Sequence, residues 1–479
     1  MAKGFLPFEL DQRLLLPPDL REWLPEGHLA LFVLDVVQTL DLSAIVDVHL
    51  QKDVRGREGY DPRMMVGLLT YAYCVGMPSS RKIEKATYED VAFRVLTGNQ
   101  HPDHTSIAAF RKQHLVALAA LFRQVLRLCQ KAGLVKLGHV ALDGTKMQAN
   151  ASKHKAMSYA RMSEAEKKLQ DEVNRLLAEA ERVDAVEDAQ YGKGQRGDEL
   201  PPELARRESR LKKIREAKAA LEAEARAEAE TKAREAEEKL AERARQEAET
   251  GKKMGGRPPS VPDPEQAQPK DKAQRNFTDP DSRIMVDGAT KAFVQAFNAE
   301  IAVDAHAQII VARDVTQRAN DKRELVSMVE QVRENVGRLP DNLSADSGFF
   351  SAEAVTDPRL AGTNLLVPPD RQKHGGDPSA DGASPVANAP VATAPVADQM
   401  RDKLRTEAGR QLYKQRKAIV EPVFGQFKDA RGFRRFLLRG LHNVRLEFDL
   451  IALTHNLLKL FRSGWSTGPA AATASAGRS

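Results

Sequence analysis

Between residues 158 and 250 the chain has almost no means of building a globular core, and that limits what the rest can be. In MSEAEKKLQDEVNRLLAEAERVDAVEDA, Met162, Leu169, Leu176 and Val183 recur at seven-residue spacing among charges. A Gly/Pro turn, YGKGQRGDELPPE, follows, and the next segment carries Leu204, Leu211 and Leu221 before its apolar positions thin to Ala. One apolar stripe per heptad predicts an antiparallel helical hairpin with a coiled-coil seam that fades into a charged single helix. Residues 251–275, opening GKKMGGRPPSVPDPEQAQPK, read as a disordered linker.

The remaining chain falls into two parts. Residues 1–133 read as an all-α domain: HLALFVLDVVQTLDLSAIVDVHL, MMVGLLTYAYCVG, SSRKIEKATYEDVAFRVLTG and TSIAAFRKQHLVALAALFRQVLRLCQKAG keep a helical apolar period. Ser79, Ser80, Thr105 and Ser106 supply N-cap chemistry, and Gly133 ends the last helix. Arg81, Lys82, Lys85, Arg111 and Lys112 give these helices basic faces that suit a DNA backbone, or equally an ordinary solvated bundle.

The period changes at HVALDGTKMQA (139–149), an apolar strand followed by polar alternation. Two strands, KAFVQAFNAEIAVD and AQIIVARDVTQ, form a hairpin around His306 and Ala307. A helix, a strand ending in ADSG, a strand in NLLVPPD and a helical tail at 400–462 follow. With the insertion removed, this is the element order of an RNase H-like core, in two pieces at 134–157 and 276–462. Residues 371–398 read as a flexible loop and 463–479 as a disordered tail.

Three acids fall where such a core presents carboxylates: Asp143 after the apolar run HVAL at the end of the first strand, Asp346 after NLSA, and Glu421 on the late helix. In-line phosphodiester cleavage uses two hard divalent cations, and Mg²⁺ is held by a few carboxylates, water and substrate phosphate. A strand-end Asp serves equally well as a turn or cap residue. On the late helix Tyr413, Lys417, Glu421 and Lys428 share one face, the arrangement of a metal-and-phosphate site or of a surface ion-pair ladder. Pro422 removes an N–H there and should kink the helix.

Charge agrees with a polyanion partner. The chain of 479 residues has net charge +6, and residues 401–462 hold 15 Lys+Arg against 6 Asp+Glu. Cys74 and Cys129 sit in apolar stretches without CxxC spacing, as buried thiols of a reducing, cytoplasmic protein. No apolar run approaches a membrane span, and the first residues carry no signal-peptide pattern.

Taken together, YDPRMMVGLLTYAYCVGMPSSRKIEKATYEDVAFRVLTG, HPDHTSIAAFRKQH, HVALDGTKMQANASKHKAMSY, NFTDPDSRIM, ADSGFFS, VPPDRQKHG and RKAIVEPVFGQFKDARGFRRFLLRGL resemble the DDE transposases of bacterial insertion sequences. The resemblance is to the branch with a helical N-terminal DNA-binding domain and a Tyr-Arg-Glu-Lys signature. It implies a triad of Asp143, Asp346 and Glu421, holding Mg²⁺ or in its place Mn²⁺, and a signature mapped onto Tyr413, Arg416, Glu421 and Lys428. The family leaves three residues between Arg and Glu; Arg416 leaves four and Lys417 leaves three, so either contacts phosphate. It further implies double-stranded DNA partners, both terminal inverted repeats and target, with a homodimer pairing two ends. Lys146, Arg283, Arg434 and Arg435 are candidates for backbone contacts. A catalytically inactive, repurposed relative, a general nuclease and a structural coiled-coil protein are the alternatives.

Overall fold

In the computed structural model, residues 19–50, 59–191, 202–251, 253, 255–288, 290–370 and 394–466 are described. The elements run α1 (Leu29–Thr39), α2 (Ser43–Leu50), α3 (Pro62–Cys74), α4 (Ser80–Glu89), α5 (Val91–Leu96), α6 (His104–Gln113) and α7 (Leu115–Lys131). Then come β1 (His139–Gln148), β2 (Ala156–Ser158), α8 (Tyr159–Tyr191), α9 (Pro202–Thr250), β3 (Gln274–Asn276), β4 (Arg283–Val286), β5 (Phe293–Asp304) and β6 (Ile309–Thr316). The chain continues through α10 (Leu325–Val336), β7 (Asn342–Ala345), α11 (Ala352–Val355), β8 (Asn364–Leu366), α12 (Ala394–Arg405), α13 (Glu407–Gly425) and α14 (Leu441–Arg462). No helix among the described residues is long and apolar enough to cross a membrane.

The chain divides into two compact units, 1–147 with 298–479, and 148–297. In the first, the sheet order is β6-β5-β1-β7-β8. β5 and β6 are antiparallel, as in the expected hairpin, whereas β1, β7 and β8 are parallel. The helices read as the first domain share a core with this sheet's partner helix. α14 packs on β6, α7 and α3, and buries Val444, Phe448, Ile451, Leu453 and Leu457. Its Asn456 pairs with Ile310 as a neighbouring strand would, accepting from the backbone N–H and donating to the carbonyl at 2.8 Å each.

Caps break three stretches that read as continuous helices. Asp90 takes the N–H groups of Ala92 and Phe93 and starts α5; His114 separates α6 from α7; and the chain turns at Leu40 between α1 and α2. At α6 the cap is Asp103, not Thr105 or Ser106, whose backbone N–H groups and hydroxyls all donate to it. A carboxylate outside the first turn reaches several free N–H groups at once. Ser79 holds the N-cap position of α4 without a side-chain hydrogen bond.

In the second unit α8 and α9 pack against each other. α8 and α9 bury Met162, Leu169, Val173, Leu211, Ile214, Ala217 and Leu221 between them, with Leu176 packed alongside; the side chains of Val183 and Leu204 lie outside the described residues. Glu166 bridges to Arg215 and Lys218 across the seam at 3.1 and 3.0 Å. The segment after α9 has no regular secondary structure apart from a short 3-10 turn at Pro264–Gln266 among its described residues. β2 pairs with β3, and β4 with the first half of β5. Of 371–398, residues up to 393 lie outside the described ones, and 394–398 open α12; the tail beyond 466 also lies outside.

One contact tests the packing of the first unit. Gly76 has φ +74°, and a Cβ there would overlap the backbone carbonyl of Arg431, whose guanidinium is buried and donates to Thr454 Oγ1 at 2.8 Å. Gly76→Ala should therefore destabilise by about 2 kcal/mol or more. Chemical denaturation measures this, and an unchanged midpoint would show that the contact is not made.

Candidate active site

The parallel register of β1 and β7 aligns His139 with Asn342 and ends by setting Leu142 opposite Ala345. The next residue on each strand is an acid, Asp143 and Asp346. Neighbouring strands lie about 4.8 Å apart, so the register alone makes the two acids neighbours. Asp143 is not at the end of its strand, as the sequence suggested. β1 runs on to Gln148, and it is β7 that stops, leaving Asp143 half-buried where its neighbour ends.

Asp143 accepts from Gly144 N at 2.8 Å and from Arg416 Nη1 at 2.7 Å. Burial pushes its carboxyl up to about 6; Arg416 opposes that shift, and the nearby Asp346 adds to it. Asp346 takes Gly348 N at 2.9 Å, capping the short turn Ser347–Phe349. It is therefore also a cap residue, the second role its position allowed.

α13 brings the signature residues. Its buried side carries Arg416, Ile419, Val420 and Val423. Tyr413 is half-buried with the Arg416 guanidinium 5.9 Å from its ring centre. Lys417 and Glu421 are exposed and make no hydrogen bond or ion pair with a described residue. Arg416, not Lys417, thus meets Asp143, the acid of β1. Lys428 reaches back to β1, donating to Lys146 O at 2.8 Å and to Thr145 Oγ1. The helix runs through Pro422 without a break. The carbonyl of Ala418, which loses the N–H of Pro422, accepts instead from Gln308 Nε2 at 3.2 Å. A π-helical turn, Gln426–Ala430, follows.

The remaining basic candidates are placed individually. Lys146 is drawn inward, bonding Asn298 Oδ1 at 2.7 Å. Arg434 pairs with Asp429, and both Arg434 and Arg435 are exposed. In the second unit Arg283 pairs with Glu224 at 2.9 Å. Arg81, Lys82, Lys85 and Lys112 are exposed, but Arg111 is buried and bonds Pro78 O at 2.7 Å.

A second group of polar residues, absent from the sequence reading, borders these acids. Asn298 and Glu300 are fully buried on β5, and Asn298 Nδ2 donates to Glu300 Oε1 at 2.8 Å and to Asp321 Oδ1. Glu300 Oε2 has no hydrogen-bond partner among the described residues. Burial, with Asp321, Glu324 and Asp314 nearby, pushes this carboxyl up to about 10, so it is a neutral acid beside Asp321. The available signal was two polar residues at alternate positions of the otherwise apolar run FNAEIAV within β5.

The oxygen donors Asp143 and Asp346, with glycines at 144 and 348 leaving space beside them, fit a hard divalent cation in chemistry. Among the described residues no group of three or more His, Cys, Asp or Glu is gathered to enclose a metal. A cation bound by two protein carboxylates would complete its coordination with water and substrate phosphate.

Comparison with known proteins adds two family matches. Residues 18–113 match the Transposase domain (DUF772), and residues 387–461 match the Transposase DDE domain. The second match contains Tyr413, Arg416, Lys417, Glu421 and Lys428, whereas Asp143 and Asp346 lie outside both. No curated protein and no solved structure matches the chain. A transposase domain near one end and a transposase DDE domain near the other together support an insertion-sequence DDE transposase.

Proposed function

We propose that this transposase cuts DNA at the ends of its own element and joins the freed 3′-hydroxyl to target DNA, using Asp143, Asp346 and Glu421 with Mg²⁺, or Mn²⁺ in its place. The observation that carries the reading is the β1–β7 register, which makes Asp143 and Asp346 neighbours. Support comes also from the order β6-β5-β1-β7-β8, in which an antiparallel hairpin flanks three parallel strands, as an RNase H-like core requires. On this reading the helices of 1–133 form the DNA-binding part, and the α8–α9 hairpin is an insertion after the first core strand. The partners are the terminal inverted repeats and target DNA, held by a homodimer that pairs two ends.

Bound divalent cations supply Lewis acidity at the attacking and leaving oxygens. The chain's own residues do the rest. Asp143 and Asp346 offer oxygen donors from a rigid sheet, and Glu421 adds one from α13. Arg416 orients Asp143, and Lys428 ties α13 to β1 just beyond it. Lys417, exposed and without an ion pair among the described residues, is the better phosphate contact than Arg416, whose charge is already engaged.

Three experiments test this. Asp143→Asn, Asp346→Asn and Glu421→Gln should each abolish Mg²⁺-dependent nicking of labelled DNA at the repeat boundary, while gel-shift binding to the repeats persists. Cleavage retained in any variant removes that residue from the triad, and specific binding without cutting by the unaltered chain favours a repurposed relative. Lys417→Ala should lower the slope of log K against log salt for repeat binding by about 1; an unchanged slope excludes a phosphate contact. Arg416→Ala should destabilise the fold by about 3 kcal/mol, because it strands a mostly buried carboxylate. Combining it with Asp143→Ala should recover a coupling of at least about 1 kcal/mol, and additive losses would mean that Arg416 acts elsewhere.

A further inference from the structure

Asp321 lies on the approach to α10, and its backbone carbonyl accepts from Glu324 N at 3.0 Å. Its side chain points to where β1 and β7 present their acids. A Cβ built on Gly348 would stand 2.9 Å from Asp346 Oδ1 and 3.4 Å from Asp321 Oδ2, so the two carboxylates overhang one backbone position. A Cβ on Gly144 would stand 3.2 Å from Asn298 Oδ1, 3.4 Å from Asp321 Oδ1 and 3.4 Å from Glu300 Cγ. Two glycines, one directly after Asp143 and one two residues after Asp346, thus leave the space that Asp321 and its supports occupy.

Those supports hold one oxygen and leave the other toward Asp346. Oδ1 accepts from Asn298 Nδ2, and Asn298 is itself fixed by Lys146, 2.7 Å from its Oδ1, and by Glu300. Lys146 Nζ stands 3.9 Å from Asp321 Oδ1, a looser pairing than the Arg416 contact with Asp143. Oδ2 is on the Asp346 side. Two carboxylates on either side of one glycine form an oxygen pair of the kind that binds a hard cation.

We propose that Asp321 is a further metal-facing carboxylate of this site, acting with Asp346 and positioned by Asn298, Lys146 and Glu300. The inference rests on the reading of Asp143 and Asp346 as cation ligands. It adds a donor that neither the signature on α13 nor the strand-end acids supply.

The test is Mn²⁺ binding by the full chain without DNA, followed by the electron paramagnetic resonance signal of free Mn²⁺. Asp321→Asn should weaken binding at least about tenfold while the metal-free thermal midpoint stays within about 3 °C of the unaltered protein. Asp321→Cys replaces a hard oxygen with a soft sulfur. It should lose Mn²⁺ and gain Cd²⁺ binding, seen as Cd–thiolate ultraviolet absorbance above the background of buried Cys74 and Cys129. A purely structural Asp321 would not exchange one metal for another. Asp143→Asn serves as the reference. If it loses Mn²⁺ while Asp321→Asn binds normally and Asp321→Cys takes up no Cd²⁺, this inference falls and the two-aspartate reading stands. If the unaltered chain binds no Mn²⁺, or neither Asn variant weakens binding, both fall.

Discussion

Parallel strands exchange evenly spaced hydrogen bonds, and nothing in that ladder alone stops β1 from slipping by one residue against β7. A slip would turn every side chain to the opposite face and separate Asp143 from Asp346. Side chains at the far end of the strands hold the register. Asn342 Nδ2 donates to Gly138 O at 2.8 Å, Asn364 Nδ2 donates to Asn342 Oδ1 at 2.7 Å, and His139 Nε2 meets Ser344 Oγ at 2.9 Å. These contacts tie β1, β7 and β8 together at their starts. The apolar residues between, Val140 to Leu142 and Leu343 to Ala345 except Ser344, are buried, and the acids follow where the ladder ends. The placement of two carboxylates is thus decided by amides four residues upstream.

The late helices depend on the same sheet. Asn456 of α14 replaces a strand partner for Ile310, and His455 Nε2 meets Gln308 O at 2.9 Å. Gln308 in turn caps the carbonyl that Pro422 leaves free on α13. One turn residue after β5 therefore contacts both helices. A proline inside a helix normally costs a hydrogen bond and bends the axis. Here a side chain from the β5–β6 turn replaces the bond, and the cost of the proline becomes an anchor between that turn and α13.

The sequence was informative where one local rule decided the outcome. β1, β7, β8 and the β5–β6 hairpin followed from period and turn residues, whereas the short β2, β3 and β4 did not; the seam of α8 and α9 followed from Met162, Leu169, Leu211 and Leu221. It was less so where two helical faces competed. Spacing alone grouped Lys417 with Glu421 and left Arg416 aside, yet Arg416 is the buried one because Asp143 waits beneath it. No local rule shows a long-range ion pair. The polar set of Asn298, Glu300 and Asp321 stayed hidden for a related reason: each residue alone looks like a misplaced surface group, and only the fold joins a strand interior to the lead of α10. The continuous helical reading of 80–96 failed at Asp90, a residue that favours capping free N–H groups over joining a helix interior.

Charge balance explains why this polar region sits inside an otherwise apolar sheet. Asp143 is answered by Arg416, Asp321 by Lys146 at longer range, and Glu300 by giving up its charge. A buried ion pair adds little net stability over well-packed apolar side chains, because desolvation consumes most of the attraction. Its contribution here is direction: the planar guanidinium fixes Asp143, and Asn298 fixes Asp321. Asp346 receives only a backbone N–H among its hydrogen bonds in the described residues. Its charge acts on both neighbours, raising the carboxyls of Asp143 and Asp321. The fold thus concentrates negative potential at the end of β7, where a cation has the most to gain.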